Sequence, residues 1–308
     1  MMKWPNVGGF RSKRGRLAWI LTIAVRVSMT TFLAAAAPGP TGEGMFPLDH
    51  YSLSEPLILK GDIYHVQGLD LDEDFVYVSS VDRHLHRALL HKFTRDGSLV
   101  ATADLTDGPR YHPGGIALEG DSLWVPVAEY RSDSTARVLQ LDKKTLRAVS
   151  SFTVYDHIGA VTAGGGKVYG ANWDAKRLYS WDRAGTILDI KPNAMRVAYQ
   201  DLKFADGDLI AAGVLRDQPG GAIDWLDPVS LLPKRRLPVG KTDGGSVWTR
   251  EGMTFHGGKL YLLPDDGSHG TAKVHAFDLA RLMTTAVDCG TGSADSPCKP
   301  WLRVAEAR

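Results

Sequence analysis

Five segments of the chain share one pattern, and the spacing of that pattern limits the fold more than any other feature. Each opens with a short apolar strand, turns through Gly or Asp, and returns in a second strand rich in Val, Leu and Tyr. The segments are 68–78, 115–127, 160–172, 201–213 and 252–263, and their first residues step by 47, 45, 41 and 51 positions. A third strand follows in every unit and ends in a large apolar residue: Phe93, Leu141, Trp181, Leu226 and Phe277, four of them followed by Asp. A polar turn such as Arg95-Asp96-Gly97 or Arg183-Ala184-Gly185 then leads to a fourth strand, of which 147–154 is an example. Four short antiparallel strands in every 40 to 50 residues predict the blades of a β-propeller, because one blade cannot bury both of its faces until neighbours stack on it. No stretch carries a helical apolar period long enough to compete with this all-β reading.

The segment 56–60 precedes the first unit and reads as a lone strand that completes the last blade and closes the ring, which gives five blades. Six remain possible if 45–60 and 289–307 assemble a further blade, with a strand at 301–305.

The ends of the chain bear on location. The first 36 residues hold Lys3, Arg11, Lys13, Arg14, Arg16 and Arg26, no acid, and the small-residue run Ala34 to Ala37. Basic, apolar and small-residue segments in that order read as a secretory signal. Arg26 interrupts the apolar stretch, so 17–25 is too short to cross a bilayer. The expected organisation is therefore a signal peptide over 1–36, a linker over 37–52 and a propeller over 53–308. Such a protein is secreted or periplasmic and keeps no membrane span after processing. Removing the six bases leaves 30 Lys and Arg against 35 Asp and Glu, a formal charge of −5, which gives no electrostatic basis for binding nucleic acid. The two cysteines, Cys289 and Cys298, flank a Gly/Ser loop and are expected to pair in an oxidising compartment.

In a propeller the loops entering each innermost strand share one face around the channel mouth, so site residues are sought at equivalent positions of the repeat. Three histidines occupy one such position: His65, His112 and His157, each three residues before its unit's first residue. The fourth and fifth units carry Ala198 and Thr249 there, with Gln200, Asp201, Arg250 and Glu251 close by, and Gln67 matches Gln200 and Glu251 by position. Imidazoles and carboxylates at one mouth suit a divalent metal ion, with His65, His112 and His157 as ligands and a position left for water. Glu251 and Asp201 are then the candidate acid–base residues, and Gln67, Gln200, Arg250 and Arg131 the candidate ligand-binding groups. The same histidines are equally suited to capping unpaired backbone groups of neighbouring blades. His84 and His86 read as a solvated loop pair. Runs such as Gly164-Gly165-Gly166 fall in tight turns with no helix after them, so no nucleotide cofactor is expected.

On these units the chain resembles bacterial secreted propeller proteins of an uncharacterised family, a domain of unknown function. More loosely it is similar to the senescence-marker/gluconolactonase and strictosidine-synthase-like propellers, over residues 56 to about 285. The gluconolactonase likeness implies a calcium ion held by Glu and Asn/Asp on the channel axis. The matching positions here are Gln67, Gly114, Gly159, Gln200 and Glu251, a set with one acid and no Asn. The sequence thus leads to an exported propeller whose mouth binds a small polar or anionic molecule and works as a metal-assisted hydrolase. Its alternative is a non-catalytic scaffold holding an envelope component.

Overall fold

The computed structural model describes residues 48–267, 270–290 and 298, all within one compact unit. The expected signal segment 1–36, most of the expected linker and the strand expected at 301–305 lie outside the described residues. Five antiparallel sheets follow one another along the chain as the blades of a β-propeller. Blade 1 is built from His65–Leu71, Phe75–Asp82, Arg87–Thr94 and Leu99–Asp104. Blade 2 runs from a broken inner strand, Arg110–Pro113 and Ala117–Glu119, through Ser122–Glu129 and Ala136–Asp142 to Ala148–Val154. Blade 3 holds Ile158–Gly164, Lys167–Asn172, Arg177–Trp181 and Ile187–Pro192, and blade 4 holds Val197–Ala205, Asp208–Leu215, Gly221–Leu226 and Pro233–Val239. Blade 5 has Gly252–His256, Lys259–Leu263 and Thr271–Asp278. Its fourth strand is Leu57–Lys60, in register from Leu57 opposite Val274 to Lys60 opposite Thr271.

That closure settles the blade count at five. Of the two segments from which a sixth blade would be assembled, the first supplies the fourth strand of blade 5, and the second lies mostly outside the described residues; just before it, Val287–Asp288 extends the outer edge of blade 4 beside Arg235 and Arg236. Cys289 and Cys298 follow that edge strand and form the expected disulfide. The end of the expected linker packs on the propeller: Leu48 is fully buried among Trp248, Phe277 and Leu282.

Burial follows position in the blade. The second strand of blade 1 is buried on both faces from Val76 to Asp82, while its outermost strand, Leu99–Asp104, is largely exposed. Apolar alternation is therefore clearest where a strand meets solvent on one face. The innermost strands are packed so closely that side chains do not fit between some of them. A Cβ at Gly114 would lie 2.0 Å from Gly159 O, and one at Gly115 would lie 2.5 Å from Gln200 O. The glycines that open the units allow this approach. Gly115 N donates to Gly159 O and Val161 N to Gly115 O, which stitches blades 2 and 3 together at the axis.

Below this contact a buried ionic plug fills the channel. Asp201 Oδ2 accepts from Leu69 N of blade 1 and Met253 N of blade 5, while Oδ1 accepts from Leu202 N and from Lys203 Nζ at 2.7 Å. Lys203 Nζ also donates to Ile116 O of blade 2 at 2.6 Å. Asp70 accepts from Leu118 N of blade 2 and Thr254 Oγ1 of blade 5. Burial pushes the Asp201 carboxyl up to about 7 against the pull of Lys203.

Lys203→Met removes the only cation bonded to this plug among the described residues and leaves two buried acids without it. A loss of about 3–5 kcal/mol in urea unfolding is the expected result. A variant as stable as the parent would show that the plug does not hold the blades.

A histidine and carboxylate pocket at the channel mouth

In blades 1, 3 and 4 the innermost strand carries a bulge at the same station. Its register against the second strand slips between Val66 and Gly68, between Ile158 and Ala160, and between Tyr199 and Asp201. A bulge turns the skipped residue out of the ladder and re-aims it. The skipped residues are Gln67, Gly159 and Gln200, and all three line one cavity of about 280 Å³ at the channel mouth. His65, His112, His157, Arg250 and Glu251 line the same cavity, so the three repeat-equivalent histidines do face a common space.

Their donor atoms do not converge on one point. His157 Nδ1 lies 2.9 Å from the carbonyl oxygen of Arg131, which only accepts, so Nδ1 carries the proton. Burial lowers the His157 pKa, and burial together with the charges of His157, His65 and Arg83 holds His112 well below its ordinary value. Both rings are therefore neutral at pH 7. His157 Nε2 is then an acceptor, and His112 Nδ1, 3.3 Å away, donates to it. These two imidazoles are spent on each other and on the backbone, which leaves His112 Nε2 as a lone pair. Among the described residues His65, His112 and His157 are not a group whose ligand atoms lie within 4.8 Å of one another.

His65 makes a different set. Its Nδ1 is 3.1 Å from Asp265 Oδ2, and its Nε2 is 3.8 Å from Glu251 Oε1. Among the described residues, His65, Glu251 and Asp265 are the one group of three whose ligand atoms lie within 4.8 Å of one another. Asp265 is held low by its hydrogen bond to His65. Glu251 is 5% exposed, and burial raises its carboxyl well above the ordinary range, helped by the nearby Asp265 and opposed by Arg250 and Arg83. It makes no hydrogen bond with any described residue.

The other candidates fall on both sides of this boundary. Gln67, Gln200 and Arg250 line the cavity. Asp201 is fully buried one layer below, with its oxygens bonded to the plug, so a catalytic role for it is not supported by its surroundings. The Arg131 guanidinium pairs with Glu129 outside the cavity, and only its carbonyl serves the site, by orienting His157. His86 stacks on Tyr111 with centroids 4.5 Å apart and does not pair with His84. Tyr130, Trp173, Asp174 and Tyr199 complete the wall. Asp265 has no counterpart at the repeat position of the histidines: it sits in the loop after the second strand of blade 5, and the acidic pair Asp265-Asp266 is its one mark in the sequence.

Residues 51–214 match a family of unknown function, DUF6454. No curated protein matches the chain. Among solved structures, glutaminyl cyclase from Myxococcus xanthus aligns over 73% of this chain and 96% of its own, at 13% identity and a TM-score of 0.52. The PQQ-bound aldose sugar dehydrogenase of Streptomyces coelicolor aligns over 74% and 97%, at 11% identity and a TM-score of 0.40. The chain in a nidogen/laminin complex aligns over 70% and 77%, at 16% identity and a TM-score of 0.43. At these identities the likeness to the cyclase bears on the fold alone.

Because His112 and His157 are depressed bases, the stability they supply is complete above the unfolded value of about 6.5 and is lost as pH falls through their lower folded values. Ring ¹⁵N spectra recorded from pH 8 to 5 are expected to show both rings neutral at pH 7 and titrating below the ordinary histidine value of about 6.5, with His112 protonated on Nδ1. Protonation of either ring at or above pH 6.5 would overturn the proton assignment.

Proposed function

The chain belongs to the DUF6454 family of unknown function, and from its channel-mouth geometry we propose that it is an exported propeller that holds one divalent cation between His65 and Glu251, with Asp265 orienting His65, and uses it to bind and hydrolyse a small polar molecule. The observation that carries this reading is Glu251. A buried carboxylate without a partner costs several kcal/mol, so the group is either protonated or compensated by a cation. His65 Nε2 stands 3.8 Å from its Oε1, too far for a hydrogen bond. Two ligand atoms at that separation can both reach one ion at about 2.1 Å. Asp265 supports the set by taking the proton of His65 Nδ1, which leaves the Nε2 lone pair for the ion.

A mixed imidazole and carboxylate set suits Zn, Mn or Fe rather than calcium. Such an ion, when bound, would supply an acidified water as nucleophile near neutral pH, and the cavity has a volume of about 280 Å³ for water and a small substrate. Export fits the Cys289–Cys298 disulfide, and among the described residues no helix is long and apolar enough to cross a membrane.

Metal analysis of the purified chain after incubation with zinc or manganese and desalting tests the reading. About one equivalent is expected for the parent and for His112→Ala, and little for Glu251→Gln or His65→Ala. A hydrolase screen on small esters, amides and phosphoesters is expected to give turnover that follows metal content. A parent that retains no metal, or a Glu251→Gln variant that retains it fully, would exclude this site.

A further inference from the structure

The wall of the cavity away from His65 has a chemistry of its own. The His157–His112 chain leaves His112 Nε2 as an uncharged acceptor. Gln67 Nε2 donates to Val66 O and Gln200 Nε2 to Ala198 O, so each amide oxygen is left as a second kind of uncharged acceptor. Beside them stand two aromatic rings. Trp173 is half-buried and lines the cavity, with its ring braced at 82° by His157 and at 90° by Tyr130. The loop that presents it is strained: Asp174 and Ala175 both take left-handed backbone, at φ 58° and 49°. Ala rarely adopts that conformation, and it is tolerated where surrounding contacts fix a functional loop. Trp173 N donates to His157 O, so the indole and the histidine chain are held as one piece.

The geometry points to a neutral cyclic polyol, a single sugar unit, as the ligand of this wall, with its C–H face against Trp173 and its hydroxyls donating to His112 Nε2, Gln67 and Gln200. This deepens the function proposed above and rests on it only for the location of the ligand. Two rival classes fit less well. An ammonium group is disfavoured because the carboxylate beside Trp173, Asp174, already lies 3.8 Å from Arg216 Nη1, the Arg83 guanidinium lies 5.3 Å over the Tyr130 ring, and Arg250 lines the cavity. An anion would find the one remaining N–H of each of Gln67 and Gln200 and the Arg250 guanidinium, but its oxygens would also face the three lone-pair acceptors of this wall, which a hydroxyl satisfies. Hydroxyl donors satisfy those acceptors, and a pyranose ring offers the flat apolar face an indole can cover.

Saturation-transfer NMR with the methyl glycosides of glucose, galactose, mannose and N-acetylglucosamine tests this, with choline and succinate as rival probes, on both metal-loaded and chelator-treated protein. At least one glycoside is expected to bind, with transfer strongest at its ring C–H protons. Trp173→Leu is expected to weaken binding about tenfold while keeping its metal content, and Gln200→Leu to weaken it by a similar factor should the first variant fold poorly. Binding of choline or succinate in place of every glycoside would overturn the inference. So would binding of no glycoside, or unchanged affinity in both variants. Glycoside binding by a protein that retains no metal supports the sugar wall and removes the cation, whereas metal retention without glycoside binding does the reverse.

Discussion

One lysine bonded to the buried Asp201, with its charge also felt by the buried Asp70, sets the centre of this propeller. The innermost strands meet the axis with backbone N–H groups that no neighbouring strand can take, and an empty channel would leave those donors to water or unpaired. Asp201 collects Leu69 N, Met253 N and Leu202 N, and Asp70 collects Leu71 N and Leu118 N. Lys203 supplies the cation that makes two buried carboxyls tolerable, and it spends a further proton on Ile116 O. Blades 1, 2, 4 and 5 are thereby tied to one point, and blade 3 joins through the backbone bonds between Gly115, Gly159 and Val161. Each of these bonds joins residues far apart in sequence, as does the pairing of Leu57–Lys60 with Thr271–Asp278, so the ring gains its central contacts only when the whole chain has come together.

Sealing the axis turns the mouth above it into a pocket with a floor, and it also separates two kinds of buried acid. Asp201 lies within the inner strand of blade 4 and Glu251 directly precedes that of blade 5, and each is almost wholly removed from water. The aspartate is surrounded by donors and is structurally complete. The glutamate faces the cavity with no hydrogen-bond donor among the described residues, and burial raises its carboxyl well above the ordinary range. That asymmetry is stronger evidence of a site than any single residue type, because a fold that needed only to fill space had the aspartate's solution available.

The architecture was legible because blade packing imposes the same requirement five times. The apolar ends of the third strands at Phe93, Leu141, Trp181, Leu226 and Phe277, and the glycines opening three units, record that requirement directly. The station of His65, His112 and His157 was legible for the same reason. What their nitrogens do was not, since it is fixed by groups outside the repeat: the carbonyl of Arg131 and the carboxylate of Asp265, both in loops whose length and path differ between blades. The assignment of Asp201 to catalysis failed on depth, because a residue one step along a strand from the bulge turns into the plug instead of the mouth. Alternation along a strand predicts that a side chain changes face, but a bulge must be recognised first to know which face is which.

The partner of each Nδ1 divides the mouth in two. A backbone carbonyl fixes the tautomer of His157 without adding charge, and the chain it begins ends in a neutral acceptor on His112. A carboxylate fixes His65 and adds charge, so the lone pair it leaves faces Glu251 with a second acid close behind. Three equivalent rings thus yield one set of acceptors beside acids and another set of uncharged acceptors suited to hydroxyl groups, with Trp173 and the Arg216-paired Asp174 beside the latter. The repeat delivers the rings to one cavity, and the loops, free to vary because they carry no blade packing, determine what chemistry each ring performs.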